Sequence, residues 1–292
     1  MGLALGATLA QRLTWLEPLA NVLQSRANAV LTRDGAPTPA KSWLNGVWLG
    51  HPLHPALTDV PIGAWTMTLS LDALAAVSGS AGMKRAADAT LAIGVAGAVG
   101  AAAAGVADWS DTQGETRRIG ALHAVMNSLA LLLNLWSLGK RLTGSRGGAV
   151  ALSTIAYAIA GLSANIGGEL VFRRGLGVSH QVWPAPPEEF TAVLSEAALS
   201  EGRLTRARAG DVPVCLLRRG DQIYAVEEWC THLGGPLADG QLDGTAVTCP
   251  WHGSRFDLTT GEPLNGPATV PLRRLETRVQ DGSIEVRAAS GE

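Results

Sequence analysis

Charged side chains are scarce in this 292-residue chain: Asp, Glu, Lys and Arg make up 16% of it and leave a formal net charge of −2. That balance gives no basic footprint of the kind that neutralises a phosphate backbone, which argues against a nucleic-acid partner. Cysteine is scarcer still, at three residues. One of them, Cys215, lies in the apolar run Val214-Cys215-Leu216-Leu217 and reads as a small buried hydrophobe. No disulfide framework results, which suits a reducing compartment. The first residues lack the basic n-region of a signal peptide and a twin-arginine pair, so export by those routes is not expected. Of six histidines, none follows His252. A mononuclear iron held by two histidines and a carboxylate, as oxygenase chemistry requires, therefore has no room after that residue.

What is present converges on the stretch from Cys230 to His252. It opens with Cys230-Thr231-His232-Leu233-Gly234-Gly235-Pro236-Leu237 and closes with Cys249-Pro250-Trp251-His252-Gly253. Each loop carries one thiol and one imidazole among glycines and prolines. Finger-type zinc sites pair Cys-x-x-Cys with His-x-x-x-His, whereas each pair here is mixed. An iron pair bridged by two sulfides needs two protein ligands per iron, with Cys230 and Cys249 on one and His232 and His252 on the other. Glycines at such loops let the backbone turn close to the sulfides.

These two motifs, with Gly234, Pro236, Pro250 and Gly253, resemble the Rieske [2Fe–2S] family, and the resemblance covers about residues 188–288. It implies an all-β sandwich with a cluster-binding subdomain, in which Asn265-Gly266-Pro267-Ala268 is the proline loop over the cluster. In the cytochrome bc-type members a disulfide joins the ligand loops; its positions here are Gly235 and Trp251, so the resemblance points to the ferredoxin and oxygenase-associated type. Ser254 resembles the hydroxyl that donates to a sulfide in high-potential members, while their accompanying tyrosine is replaced by Phe256. An intermediate potential is expected.

The length suggests more than one domain. Before the β region, four apolar stretches run roughly 56–78, 87–107, 119–139 and 149–171. Each is long enough to cross a hydrocarbon core of about 30 Å at about 1.5 Å per residue. The chain thus reads as a multidomain protein: residues 1–50 an amphipathic N-terminal helix and loop, 51–180 an all-α four-helix transmembrane bundle, 181–189 a proline-rich linker and 190–292 the Rieske domain. Apolar residues from Leu9 to Leu31 recur at helical spacing, predicting one amphipathic helix that lies on the membrane surface or packs on another subunit. An even number of spans puts both termini on one side. Lys and Arg near the span ends are balanced, and Arg12, Arg26 and Arg33 tip the termini toward the cytoplasm. The expected location is the bacterial cytoplasmic membrane, with the Rieske domain on its cytoplasmic face.

By the parity of the spans, His51, His54, His123 and His180 fall at one bilayer face, with Asp59, Asp108, Asp111 and Glu169 at the same level and Asn127 one turn from His123. The run His51-Pro-Leu-His54-Pro-Ala-Leu-Thr-Asp59, with Asp108-Trp109 and His123-Ala-Val-Met-Asn127, resembles a family of four-helix bacterial membrane proteins of unknown function (DUF2231) over about residues 45–175. Three readings stay open for these histidines: bonds to neighbouring carboxylates, a b-type haem held by His54 or His51 with His123, and a quinone or metal site.

Eight short β-type runs are expected after the linker: 191–194, 204–208, 212–218, 222–227, 246–249, 255–257, 272–279 and 283–287, separated by turn signals. The function expected is that of a membrane-anchored carrier of single electrons between a soluble donor and a membrane-associated acceptor, a redox protein or quinone. The alternatives are the reductant of an oxygenase and a redox sensor without turnover; oligomerisation is left open.

Overall fold

In a computed structural model of the protein, residues 5–181 and 185–289 are described. They form two compact units, one comprising Met1–Ala29 and Leu53–Arg174, the other Val30–Pro52 and Gly175–Glu292. The division cuts through the N-terminal region, which the sequence reading keeps whole as residues 1–50.

The first unit is helical. Where one amphipathic helix is expected, there are two, α1 (Leu5–Arg12) and α2 (Leu16–Leu31). Pro18 explains the break: it has no N–H to offer the Thr14 carbonyl, but it is tolerated in the first turn of a new helix. The apolar face of this segment is buried in part: Leu16 and Ala20 are fully buried, while Leu23 and Val30 stay exposed. Glu169 sits at the N-terminus of α1 and accepts from the Gly6 amide at 2.9 Å and the Ala7 amide at 3.1 Å, where a carboxylate offsets the helix dipole. Gln24 donates to the carbonyls of Trp109 and Thr112, and Glu17 pairs with Arg117.

Four long helices make up the rest of the unit: α4 (Leu53–Ser78), α5 (Ala81–Trp109), α6 (Gly114–Leu142) and α7 (Arg146–Phe172). The seven-residue α3 (Pro39–Asn45) belongs to the other unit. All four long helices have the length and composition to cross a membrane. The pairs α4–α5 and α6–α7 pack side by side, and α5–α6 and α4–α7 contacts close the bundle. The Ala/Gly-rich α5 allows a close approach: a Cβ at Gly97 would stand 2.6 Å from Val60 Cγ1. At one end of the bundle, Asp72 and Arg141 are wholly buried, and Asp88, Arg146 and Ser153 complete a network of ion pairs and hydrogen bonds. Charges in such a setting persist by satisfying one another.

The second unit is mostly β. Its N-terminal part is the ribbon β1 (Thr32–Arg33) and β2 (Ala36–Pro37), followed by α3, whose start is capped by Thr38 accepting from the Lys41 amide and by Pro39 at the first helical position. The C-terminal part has a six-stranded antiparallel sheet in the order β3 (Thr191–Ser195), β12 (Ser283–Ala288), β11 (Arg274–Gln280), β6 (Gln222–Glu227), β5 (Val212–Arg219), β4 (Thr205–Ala209). A four-stranded antiparallel sheet has the order β10 (Pro263–Asn265), β9 (Arg255–Asp257), β8 (Ala246–Thr248), β7 (Gln241–Asp243). Strand β5 is buried on both faces. Val212, Val214 and Leu216 join one apolar core, while Cys215 and Leu217 join a second that also holds Cys230, Cys249, Phe256 and Leu258. Cys215 is thus a core residue, and burial pushes its thiol far above the usual range.

All eight expected runs contain a strand. Strands β7 and β10 are not among them: each holds a single leucine and no β-branched or aromatic residue, whereas the equally short β8 and β9 carry Val247, Thr248 and Phe256. Of the expected linker, Val182–Pro184 lie outside the described residues. Gln181 is no free spacer: it is buried, donates to the Glu227 and Trp229 carbonyls and accepts from the Arg273 amide at 2.7 Å.

Candidate metal centre

The loop between β6 and β7 carries Cys230 and His232; the loop between β8 and β9 carries Cys249 and His252. Both are built alike. The Cys230 amide donates to the Gly235 carbonyl at 2.9 Å and the Cys249 amide to the Ser254 carbonyl at 2.8 Å. Four residues after each cysteine, Gly234 (φ 75°) and Gly253 (φ 76°) return an amide to that cysteine's carbonyl. A left-handed residue at that point disfavours any side chain. The motifs Cys-x-His-x-Gly and Cys-x-x-His-Gly therefore close the same turn with the histidine displaced by one position.

The four side chains sort by kind. The two cysteine sulfurs are hydrogen-bonded to each other. The two imidazoles meet edge to face, with ring centroids 5.1 Å apart. Among the described residues, no three His, Cys, Asp or Glu side chains gather about a single ion position. Two sulfurs on one side and two nitrogens on the other are the donor set of a binuclear cluster with unlike irons, and differ from the single tetrahedral grouping of a structural zinc.

The surroundings suit sulfur ligands. The His232 amide and the Ser254 side chain donate to Cys230, and the amides of Trp251 and His252 donate to Cys249. The bond between the sulfurs, reinforced by burial, pushes Cys230 up, and the same bond holds Cys249 down. Burial, followed by the proximity of His252, Lys41 and His180, holds the His232 imidazole well below its ordinary value, in the neutral form that a metal requires. A Cβ at Gly235 would stand 2.6 Å from Cys249 Sγ and 3.2 Å from Trp251 Cγ. The two positions that the resemblance assigns to a disulfide thus face each other, occupied by a glycine and a tryptophan.

A third loop, after β10, braces the other two. Thr231 donates to the Val270 carbonyl at 2.7 Å, and the Ala268 amide donates to Ser254 Oγ at 3.0 Å. Behind the first loop, the buried Glu228 accepts from Arg206 at 2.7 Å, and burial raises its carboxyl value against that pairing.

The family models match along the same divisions. The Rieske [2Fe-2S] domain matches residues 189–276, and the predicted membrane protein family DUF2231 matches residues 50–180. Ferredoxin CarAc of Metapseudomonas resinovorans is 40% identical over 95 residues, covering 32% of this chain and 89% of that protein.

The chain belongs to the Rieske [2Fe-2S] family.

The anthranilate 1,2-dioxygenase ferredoxin subunit of Burkholderia cepacia is 36% identical over 78 residues, 27% of this chain and 72% of that protein. Among solved structures, the ferredoxin of carbazole 1,9a-dioxygenase from Nocardioides aromaticivorans is 28% identical, with a TM-score of 0.33, covering 36% of this chain and 100% of that one. The protein is a fusion of a Rieske domain with a DUF2231 domain. A Rieske domain implies a [2Fe–2S] cluster.

The four remaining histidines are divided between the two units. His54 and His123 meet edge to face at 6.4 Å in the helical unit. His51 and His180 belong to the other unit, where His180 packs on Gly234 of the first Rieske ligand loop, its Nδ1 3.5 Å from the Cβ position there. His54 and His123 do not bond carboxylates. His54 Nδ1 engages the Ala101 carbonyl at 2.7 Å, and His123 Nδ1 engages the Ser163 carbonyl at 2.9 Å. His123 Nε2 lies 3.1 Å from Asn127 Nδ2. With both ring nitrogens of His123 held by protein groups, the pair does not fit a bis-imidazole haem. Glu169, expected at that level, is committed to α1.

The features that sequence reasoning missed lie far from the motifs. Lys41 is wholly buried, and its proximity helps to hold His232 down. The ion network around Asp72 was also missed.

Proposed function

We propose that the protein is a membrane-anchored Rieske electron carrier, in which Cys230 and Cys249 hold the inner iron of a [2Fe–2S] cluster and His232 and His252 the outer one. The observation that carries this reading is the sorting of donors by kind at the tips of two like-built loops. When bound, the cluster supplies reversible one-electron transfer. The chain's own part is to keep both sulfurs inside the apolar core with amide and hydroxyl donors aimed at them, and to keep the imidazoles neutral. The electron partners are a soluble donor and a membrane-associated acceptor, a redox protein or a quinone. The four apolar helices are the anchor in the lipid bilayer, and Arg12, Arg26 and Arg33 favour a cytoplasmic β domain in a bacterial inner membrane.

A second reading is favoured by the identity with ferredoxin components of dioxygenase systems: the protein delivers electrons to an oxygenase. Purification of the full chain in detergent tests the main reading. A dithionite-reduced sample is expected to give a Rieske-type electron paramagnetic resonance signal, with equal iron and acid-labile sulfide. Stoichiometric zinc without sulfide sinks it. Electron delivery to a purified aromatic-ring dioxygenase, compared with delivery to a quinone pool in vesicles, separates the two acceptors.

A further inference from the structure

The stretch Val30–Pro52 packs on the Rieske loops as part of the same compact unit. Gly253, the neighbour of His252, abuts it: a Cβ there would stand 2.8 Å from Pro37 Cδ and 3.6 Å from the Gly35 carbonyl oxygen. On the proline loop, Ser42 Oγ donates to Asn265 Oδ1 at 2.5 Å across 223 residues of sequence, and the Gly266 amide donates to Ser42 Oγ at 3.2 Å. A Cβ at Gly266 would stand 2.8 Å from Val47 Cγ2. Both glycines are thus needed for the stretch to lie this close. Lys41, next to Ser42, is 0% exposed, so this part of the stretch is packed into the unit.

We propose that residues 30–52 are a fourth loop of the cluster site, in which Ser42 clamps the proline loop in place. The inference rests on the Rieske reading. Loops on a protein surface sample open states, and each bond that ties the proline loop down lowers the population in which the cluster meets solvent.

The full chain in detergent serves for the test. Ser42→Ala is expected to bleach several-fold faster in the presence of an iron chelator, whereas Trp43→Ala, exposed on the same helix, should bleach at the native rate. Native bleaching in Ser42→Ala overturns the clamp. An unmodified chain without any Rieske signal would instead remove the underlying reading, so the two failures are distinguishable.

Discussion

Two pairs of histidines in this protein meet edge to face, and they serve different ends. His54 and His123, in the helical unit, lie 6.4 Å apart with their nitrogens turned to helix carbonyls and Asn127. His232 and His252, in the β unit, lie 5.1 Å apart on glycine-bounded loops that also bring two cysteine sulfurs together. A polar side chain in an apolar setting must be satisfied, and a long helix offers nearby carbonyls to do it. The loop pair sits instead beside two cysteines, and it is the pair we propose to hold the cluster. The contrast between the two pairs is thus one of the backbone that carries them, more than of burial.

The most direct way to break this comparison is to delete one member of each pair. His252→Ala is expected to abolish the Rieske resonance, whereas His123→Ala should leave it at native intensity and cost about 1–3 kcal/mol of bundle stability through unsatisfied partners. Loss of the resonance in both variants would erase the distinction. The bundle's own polar logic is sharpened by Asp72→Asn, which strips the wholly buried Arg141 of its buried counter-ion. Destabilisation of up to about 3–5 kcal/mol is expected, read as thermal unfolding in detergent, with the cluster spectrum unchanged before the transition.

A smaller effect probes the loops. Gly235→Ala forces a methyl group against Cys249 Sγ and should cost about 1–3 kcal/mol, seen as lower cluster occupancy at a given temperature. The smallest concerns pH. Burial raises the Glu228 carboxyl above 4.5, so its contribution to stability is fully present below that value and is lost as pH rises through the folded value. Glu228→Gln should flatten this decline, measured as the bleaching temperature across the pH range above 4.5. An unaltered slope would show that the Arg206 pairing dominates.

How far the sequence could be read depended on the range of the interactions. The Cys-x-His and Cys-x-x-His motifs, the four apolar helices and eight β runs are local patterns, set by spacing and hydrophobic period. β7 and β10 lack the β-branched and aromatic residues that mark the equally short β8 and β9. The division of Leu9–Leu31 into two helices rested on Pro18, a single residue whose missing N–H outweighed the amphipathic period. Parity sets the level expected of His180 but could not reveal its packing on Gly234, because the level of a span end says nothing of which loop the following residues join.

By itself, then, the order of residues determined the identity of the donors, the turn-closing glycines four residues after each cysteine, and the existence of an apolar bundle before a β domain. Each follows from steric or hydrophobic constraints that act over a few residues. Tertiary structure alone decided that sulfur meets sulfur and imidazole meets imidazole in space, that His123 is held by the Ser163 carbonyl, and that Ser42 reaches the proline loop. Those relations link residues from about twenty to more than two hundred positions apart, and they arise only when the energy of packing and of satisfying buried polar groups exceeds the entropy lost in bringing the segments together.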